Sequence, residues 1–175
     1  MHNKIIICGG NGAGKSTLGK ALADKLNYKF MDIEDYYFPK SESDYPYDTA
    51  RTREAVSALL LKDMKKYPNF ILASVKGDYG EEVVSLFTYA VWINVPGDIR
   101  LERVRERSFQ KFGNRILPDG DLYEKEKKFF DMVQKRPEQD VENWLKSTRI
   151  PVIQVDGTNA VLHNIEIIIA KIFNC

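Results

Sequence analysis

The sequence predicts an α/β fold, a five-stranded parallel sheet with helices on both faces. Strand-like runs alternate with helix-like runs along the chain, the pattern of parallel sheets built from crossover units. The strand-like runs are short and almost wholly apolar, as suits strands buried on both sides. A glycine-rich turn joins the first strand to the first helix, and in such sheets ligands bind beyond the carboxyl ends of the strands.

Each element has its own signal. Residues 4–8 are a short apolar strand run, and 15–26 place Leu18, Leu22 and Leu26 at helical steps. A second strand is read over 28–33. Residues 35–49, rich in Tyr, Ser, Asp and Pro, read as a loop or small insertion. Val56, Leu59, Leu60 and Met64 mark a helix over 51–67. A third strand follows at 70–75, then a turn and a short helix to Phe87. The fourth strand, 89–95, is stopped by Pro96-Gly97. Asp98 opens an arginine-rich helix, and 112–120, with Gly113, Pro118 and Gly120, reads as a mobile loop. Helices are expected over 122–135 and 138–146, a fifth strand over 151–155 closed by Asp156-Gly157, and a last helix with Val161, Ile165, Ile168 and Ile172 on one face. No repeat or linker breaks the pattern, so 1–175 is expected to be one domain.

Composition narrows the function. The 175 residues are 43% hydrophobic and 29% charged with a net charge of +1. This balance speaks against a dedicated nucleic-acid or membrane-surface protein, where a basic excess is expected. No stretch reaches the roughly 20 apolar residues that span a bilayer. The run at 5–8 is too short for a secretory leader. Cys8 lies in an apolar strand and Cys175 is the last residue, so a disulfide is not expected. Cytoplasmic residence follows as an expectation, as does a monomer or homodimer. His2 and His163 have no metal-ligand spacing.

The most specific signal is Gly9-Gly10-Asn11-Gly12-Ala13-Gly14-Lys15-Ser16, a complete G-x-x-x-x-G-K-[ST]. It follows a strand and opens a helix, as its chemistry demands. Glycines let the backbone curl so that successive N–H groups face phosphate oxygens, and the helix start adds its positive dipole end. Lys15 is expected at the β and γ phosphates, the Ser16 hydroxyl on Mg²⁺, and Thr17 on a phosphate. The bland alternative is a glycine-rich helix cap with an incidental lysine.

With this motif, the chain resembles the small P-loop kinases, the superfamily of nucleotide, nucleoside, shikimate and gluconate kinases. The resemblance implies a three-layer P-loop NTPase fold, a substrate-binding insertion at about 35–67 and an arginine-bearing lid at about 108–122. It implies ATP and Mg²⁺ as cofactors and a small-molecule acceptor, nucleoside- or nucleotide-like, as substrate. ABC transporter ATPases share Asn-Gly-Ala-Gly-Lys-Ser-Thr, but they are longer and carry an LSGGQ signature that this sequence lacks.

Beyond the second strand, Asp32-Ile33-Glu34 resembles the Asp-x-Asp/Glu pair of shikimate kinase, whereas Asp35-Tyr36-Tyr37 with Pro39-Lys40 resembles a segment of uridine-type nucleoside kinases. Tyr47-Asp48-Thr49-Ala50 resembles a downstream segment of the latter without its proline. The two alignments compete. By the nucleoside-kinase alignment Asp35 is the carboxylate beside the acceptor hydroxyl, with Asp32 as metal ligand or alternative base; a merely solvated acidic loop is the plain alternative, strongest for Glu34. Tyr36 and Tyr37 are candidates for stacking on an acceptor, and Arg53 for holding its phosphate.

The arginine helix resembles the one that leads into the lid, implying that Arg107, then Arg103, neutralise transferring phosphate, with Arg115 closing over ATP. Gly157, after the last strand, matches the position that lines adenine in related kinases. One departure stands out: 70–75 ends in Ser74-Val75 without the acid of an orthodox Walker B, leaving Ser74 or Asp78 as stand-ins. That gap suggests two rival readings, a nucleotide-binding ATPase or switch without an acceptor, and a former kinase that only binds nucleotide.

Overall fold

A computed structural model describes residues 2–39, 44–137 and 139–173. Five strands, β1 (Lys4–Cys8), β2 (Lys29–Asp32), β3 (Phe70–Ala73), β4 (Tyr89–Asn94) and β5 (Val152–Asp156), form one sheet in the order β2-β3-β1-β4-β5. Every pairing is parallel. The central strand β1 alternates between two cores. Ile5 and Ile7 face α1 (Lys15–Leu26) and α8 (Val161–Phe173), meeting Leu18, Leu22, Ile165 and Ile168. Ile6 and Cys8 face the opposite layer, α3 (Arg53–Lys66), α4 (Glu81–Val84) and α7 (Gln139–Lys146), meeting Val56, Leu60, Val83 and Leu145. The side chains of Ile5, Ile6, Ile7 and Cys8 are fully buried, and each large aliphatic one removed from water contributes about 1.5–3 kcal/mol. The Cys8 thiol is free and its pKa is pushed up by burial. Cys175 lies outside the described residues.

With β1 between β3 and β4, the strand order reverses at β1, and the loop after β1 lies at this switch point. Two segments depart from expectation. Residues 33–37 form a helical turn, α2 (Ile33–Tyr37), because the Asp32 carboxylate accepts the Glu34 amide at 3.1 Å and caps it. Residues expected as a mobile loop are built instead. Helix α5 (Gly97–Phe112) runs on to Phe112, and a 3₁₀ turn covers Gly113–Ile116. This turn is pinned by Ile116, which joins Leu122 and Tyr45 in a third, smaller core, and by the Arg115–Asp121 ion pair at 2.6 Å. Helix α6 (Tyr123–Lys135) returns from it toward the sheet.

That third core ties α6 to the 44–48 segment. The Tyr45 hydroxyl donates to Glu126 Oε1 at 2.6 Å, Lys125 pairs with Asp48 at 2.7 Å, and Lys111 donates to the Tyr47 hydroxyl at 3.0 Å. Lys40 lies outside the described residues. No helix among the described residues is long and apolar enough to cross a membrane.

Candidate active site

The loop from Gly9 to Ser16 curls at the carboxyl end of β1. Gly12 and Gly14 have φ of 80° and 93°, in the left-handed region where glycine alone is unstrained, and Gly14 caps α1. The Ala13 amide returns to the Gly10 carbonyl at 3.2 Å. Lys15 donates to the same carbonyl at 2.9 Å, folding its ammonium over the loop. Burial lowers its pKa to about 8; Glu34 and Asp32 pull it back up, and Arg107 pushes it down. Three elements distant in sequence therefore act on one ammonium: the loop, the β2–α2 corner and α5.

Ser16 and Thr17 are exposed and line a groove of about 570 Å³ with Lys20, Asp24, Asp32, Glu34 and Asp35. The Ser16 hydroxyl and the Asp32 carboxylate, hard oxygen donors of the kind Mg²⁺ takes, both line this groove. A smaller cavity, about 140 Å³, lies on the other side of Glu34, lined by Tyr47, Arg107, Ser108, Lys111, Phe112 and Phe129. Arg107 is exposed and has no hydrogen bond or ion pair among the described residues.

Other predicted residues are engaged internally. Both terminal nitrogens of Arg103 donate to the Gly157 carbonyl at 3.2 Å, which joins α5 to the β5–α8 turn. Arg53 pairs with Asp78 at 3.1 Å, and Lys76 meets the same carboxylate at 3.3 Å. Tyr36 turns its hydroxyl to Asp63 at 3.0 Å; burial and that hydrogen bond push its pKa up. Tyr37 packs its ring 6.4 Å from that of Tyr79. Asp35 opens onto the large groove. Of the Walker B stand-ins, Ser74 donates to the Lys76 carbonyl at 2.8 Å and touches the Tyr79 hydroxyl at 3.0 Å, while Asp78 holds Arg53 and Lys76.

Sequence reasoning gave no role to Arg136, placed Arg100 beside Arg103 and Arg107 on α5 without choosing it, and underrated one carboxylate. Arg100 is 8% exposed and donates to the Val95 carbonyl at 3.1 Å behind the loop. Arg136, the cap of α6, donates to Asn11 Oδ1 at 2.7 Å. Neither lies in a motif; helical spacing puts Arg100 along the flank of the Leu101/Val104 stripe, as it does Arg103 and Arg107, and does not single it out. Glu34 was visible in the acidic cluster, and it stands first among the charges acting on Lys15.

A family model described as an AAA domain matches residues 5–144. The chain belongs to the AAA domain family. This AAA domain chain is 30% identical over 174 residues, 95% of each chain, to the uncharacterized protein YqaC of Bacillus subtilis (strain 168). Among solved structures, deoxyadenosine kinase from M. mycoides with bound dATP has a TM-score of 0.59 at 18% identity, over 96% of this chain and 98% of that one. Shikimate kinase from Bacteroides thetaiotaomicron also gives 0.59, at 16% identity over 100% of both. The AAA domain here therefore has the fold of the small P-loop kinases.

Proposed function

We propose that this AAA domain protein is a Mg·ATP-dependent kinase that moves the γ-phosphate to a hydroxyl of a small metabolite, nucleoside-like in character. The observation that carries this reading is the groove beside the phosphate loop, where Ser16 and Thr17 stand with Asp32, Glu34 and Asp35, next to the Lys15 ammonium folded over the loop. Phosphoryl transfer asks little of a protein beyond positioning, charge neutralisation and a carboxylate beside the acceptor hydroxyl. In this reading Lys15 and Arg107 neutralise the transferring group, while Gly10, Asn11, Gly12, Ala13, Gly14 and Thr17 cradle phosphates. Arg103 and Gly157 stand where adenine is expected. Mg²⁺, held by Ser16 and Asp32, supplies further charge neutralisation when bound. Asp35 or Glu34 takes the hydroxyl proton. The 113–122 segment acts as the lid, and 44–50 as part of the insertion that meets the acceptor.

An unphosphorylated acceptor is favoured over a nucleotide because Arg53, the residue that would hold an acceptor phosphate, is paired with Asp78. The screen that tests this reading measures ADP release from Mg·ATP with nucleosides, nucleotides, shikimate-like acids and sugars. Stimulation by one hydroxyl acceptor, with a phosphorylated product, is the expected result. Slow hydrolysis indifferent to every acceptor would replace this reading with the second one, an ATPase or switch, for which the engaged Ser74 and Asp78 speak.

A further inference from the structure

In the phosphate loop, Gly10 is a glycine without a backbone reason. Unlike Gly12 and Gly14, it does not have positive φ. What it lacks is room. A Cβ on Gly10 would stand 2.8 Å from Cζ of Arg100 and closer still to Nη1. A Cβ on Gly12 would strike the Arg100 main-chain carbonyl. Helix α5 is thus pressed against the back of the loop at one residue, whose guanidinium is threaded beneath Gly10.

We propose that Arg100 is a positioning residue for the phosphate loop, and that Gly10 is glycine to admit its guanidinium. The proposal rests on reading this loop as a polyphosphate cradle. Arg100 is anchored by Nε to the Val95 carbonyl at 3.1 Å, and its Nη1 approaches the Asn11 carbonyl at 3.5 Å. The second contact is long, but the donor is a permanent cation and the acceptor is the oxygen of the Asn11–Gly12 peptide. In a planar trans peptide the C=O and the N–H point in opposite directions. Drawing the Asn11 oxygen back toward Arg100 therefore turns the Gly12 N–H forward, into the hollow where phosphate oxygens are expected. Arg136 holds the side chain of the same Asn11 from outside. The loop is set before a ligand arrives, so less ordering is left to binding.

The test measures binding of Mg·ADP to purified full-length variants, with thermal melting as the check on folding. Arg100→Leu is expected to weaken binding by about tenfold or more, the scale of a lost charged hydrogen bond, and Arg100→Lys to recover part of it. Gly10→Ala in the natural background is expected to weaken binding comparably. Placed on Arg100→Ala, the same alanine should cost less than about threefold, because the colliding atoms are gone. A purely structural role would give Gly10→Ala the same penalty in both backgrounds. Equal penalties, a neutral Gly10→Ala, or full binding by a folded Arg100→Leu would each overturn the proposal. Should Arg100→Leu fail to fold, Gly10→Ala and Arg100→Lys carry the decision. Should the natural protein bind no nucleotide, the kinase reading fails, and hydrogen exchange of the ligand-free loop still decides: Arg100→Gln must speed exchange of the Ala13 amide, whose bond to the Gly10 carbonyl closes the loop, and unchanged exchange would end the proposal.

Discussion

The phosphate-loop side of the cleft is held by three cations: the buried Arg100 under Gly10, and the half-buried Lys15 on the Gly10 carbonyl and Arg136 on Asn11. The opposite side is a single turn, α2, whose Glu34 and Asp35 are exposed, facing the small aromatic core around Tyr45. The first arrangement suits a ligand part that is always the same, a polyphosphate. The second leaves its carboxylates in water, free to meet a group whose identity differs from one kinase to the next. The difference teaches that rigidity follows the invariant half of the chemistry. On the proposed reading, selection of the acceptor falls to the exposed carboxylates of that turn.

The sharpest way to break this contrast is Lys15→Ala. Loss of the ammonium is expected to lower acceptor-dependent ADP formation by at least about a hundredfold, with the circular dichroism spectrum intact. A turnover left at the natural level would remove the nucleotide side from the chemistry altogether. The next largest effect separates two neighbouring carboxylates. Glu34 and Asp35 sit on the same turn, but only Glu34 acts on Lys15 and borders both cavities. Glu34→Gln and Asp35→Asn should therefore differ, the true base losing about a hundredfold or more in kcat and the other chiefly shifting KM. Equal, small losses in both would move proton abstraction away from this turn.

Legibility in the sequence follows the same division. The sheet, its alternating cores and the phosphate loop were readable because each depends on local pattern: apolar runs, helical spacing and an eight-residue motif. The built 113–116 turn was not, because Gly113 and Pro118 signal a loop locally, while Ile116 and Leu122 are buried by Tyr45, some seventy residues away in the chain. Arg136 was equally invisible, since nothing near it in sequence announces Asn11. Among the arginines of α5, spacing alone could not say which one is buried; the structure puts Arg100 inside, Arg103 on Gly157 and Arg107 in the open.

A smaller effect sharpens the comparison on its loosely packed side. Glu126 is 1% exposed, and its Oε2 has no hydrogen-bond partner among the described residues, so Tyr45 is the donor that this buried carboxyl has there. Tyr45→Phe should destabilise the fold by about 1–3 kcal/mol, the cost of leaving a buried acceptor unmatched, and lower the melting temperature by a few degrees. Glu126→Gln keeps an acceptor for Tyr45 and removes the buried carboxyl, so it should be close to neutral. If Tyr45→Phe melted like the natural protein, the contact between α6 and the 44–48 segment would contribute little, and the lid reading would lose its anchor.

The smallest effect is the dependence on pH, and its sign is set by Lys15. Its pKa in the fold, about 8, lies below the ordinary lysine value of 10.5, chiefly through burial. Folding therefore disfavours the charged form: the destabilisation is full below pH 8 and is relieved as pH rises toward 10.5. Binding runs the other way, because a polyphosphate selects the ammonium. Affinity for Mg·ADP should be flat below about pH 7 and fall above pH 8, by at most about tenfold per unit, with uptake of a fraction of a proton near pH 8. Calorimetric titrations in buffers of different ionisation enthalpy measure that uptake directly. Lys15→Arg, which cannot lose its proton, should abolish both the uptake and the slope. A flat affinity from pH 7 to about 9.5 without proton uptake would mean that Lys15 is fully charged before the ligand arrives, and the nucleotide side would then be as open to water as the side facing it.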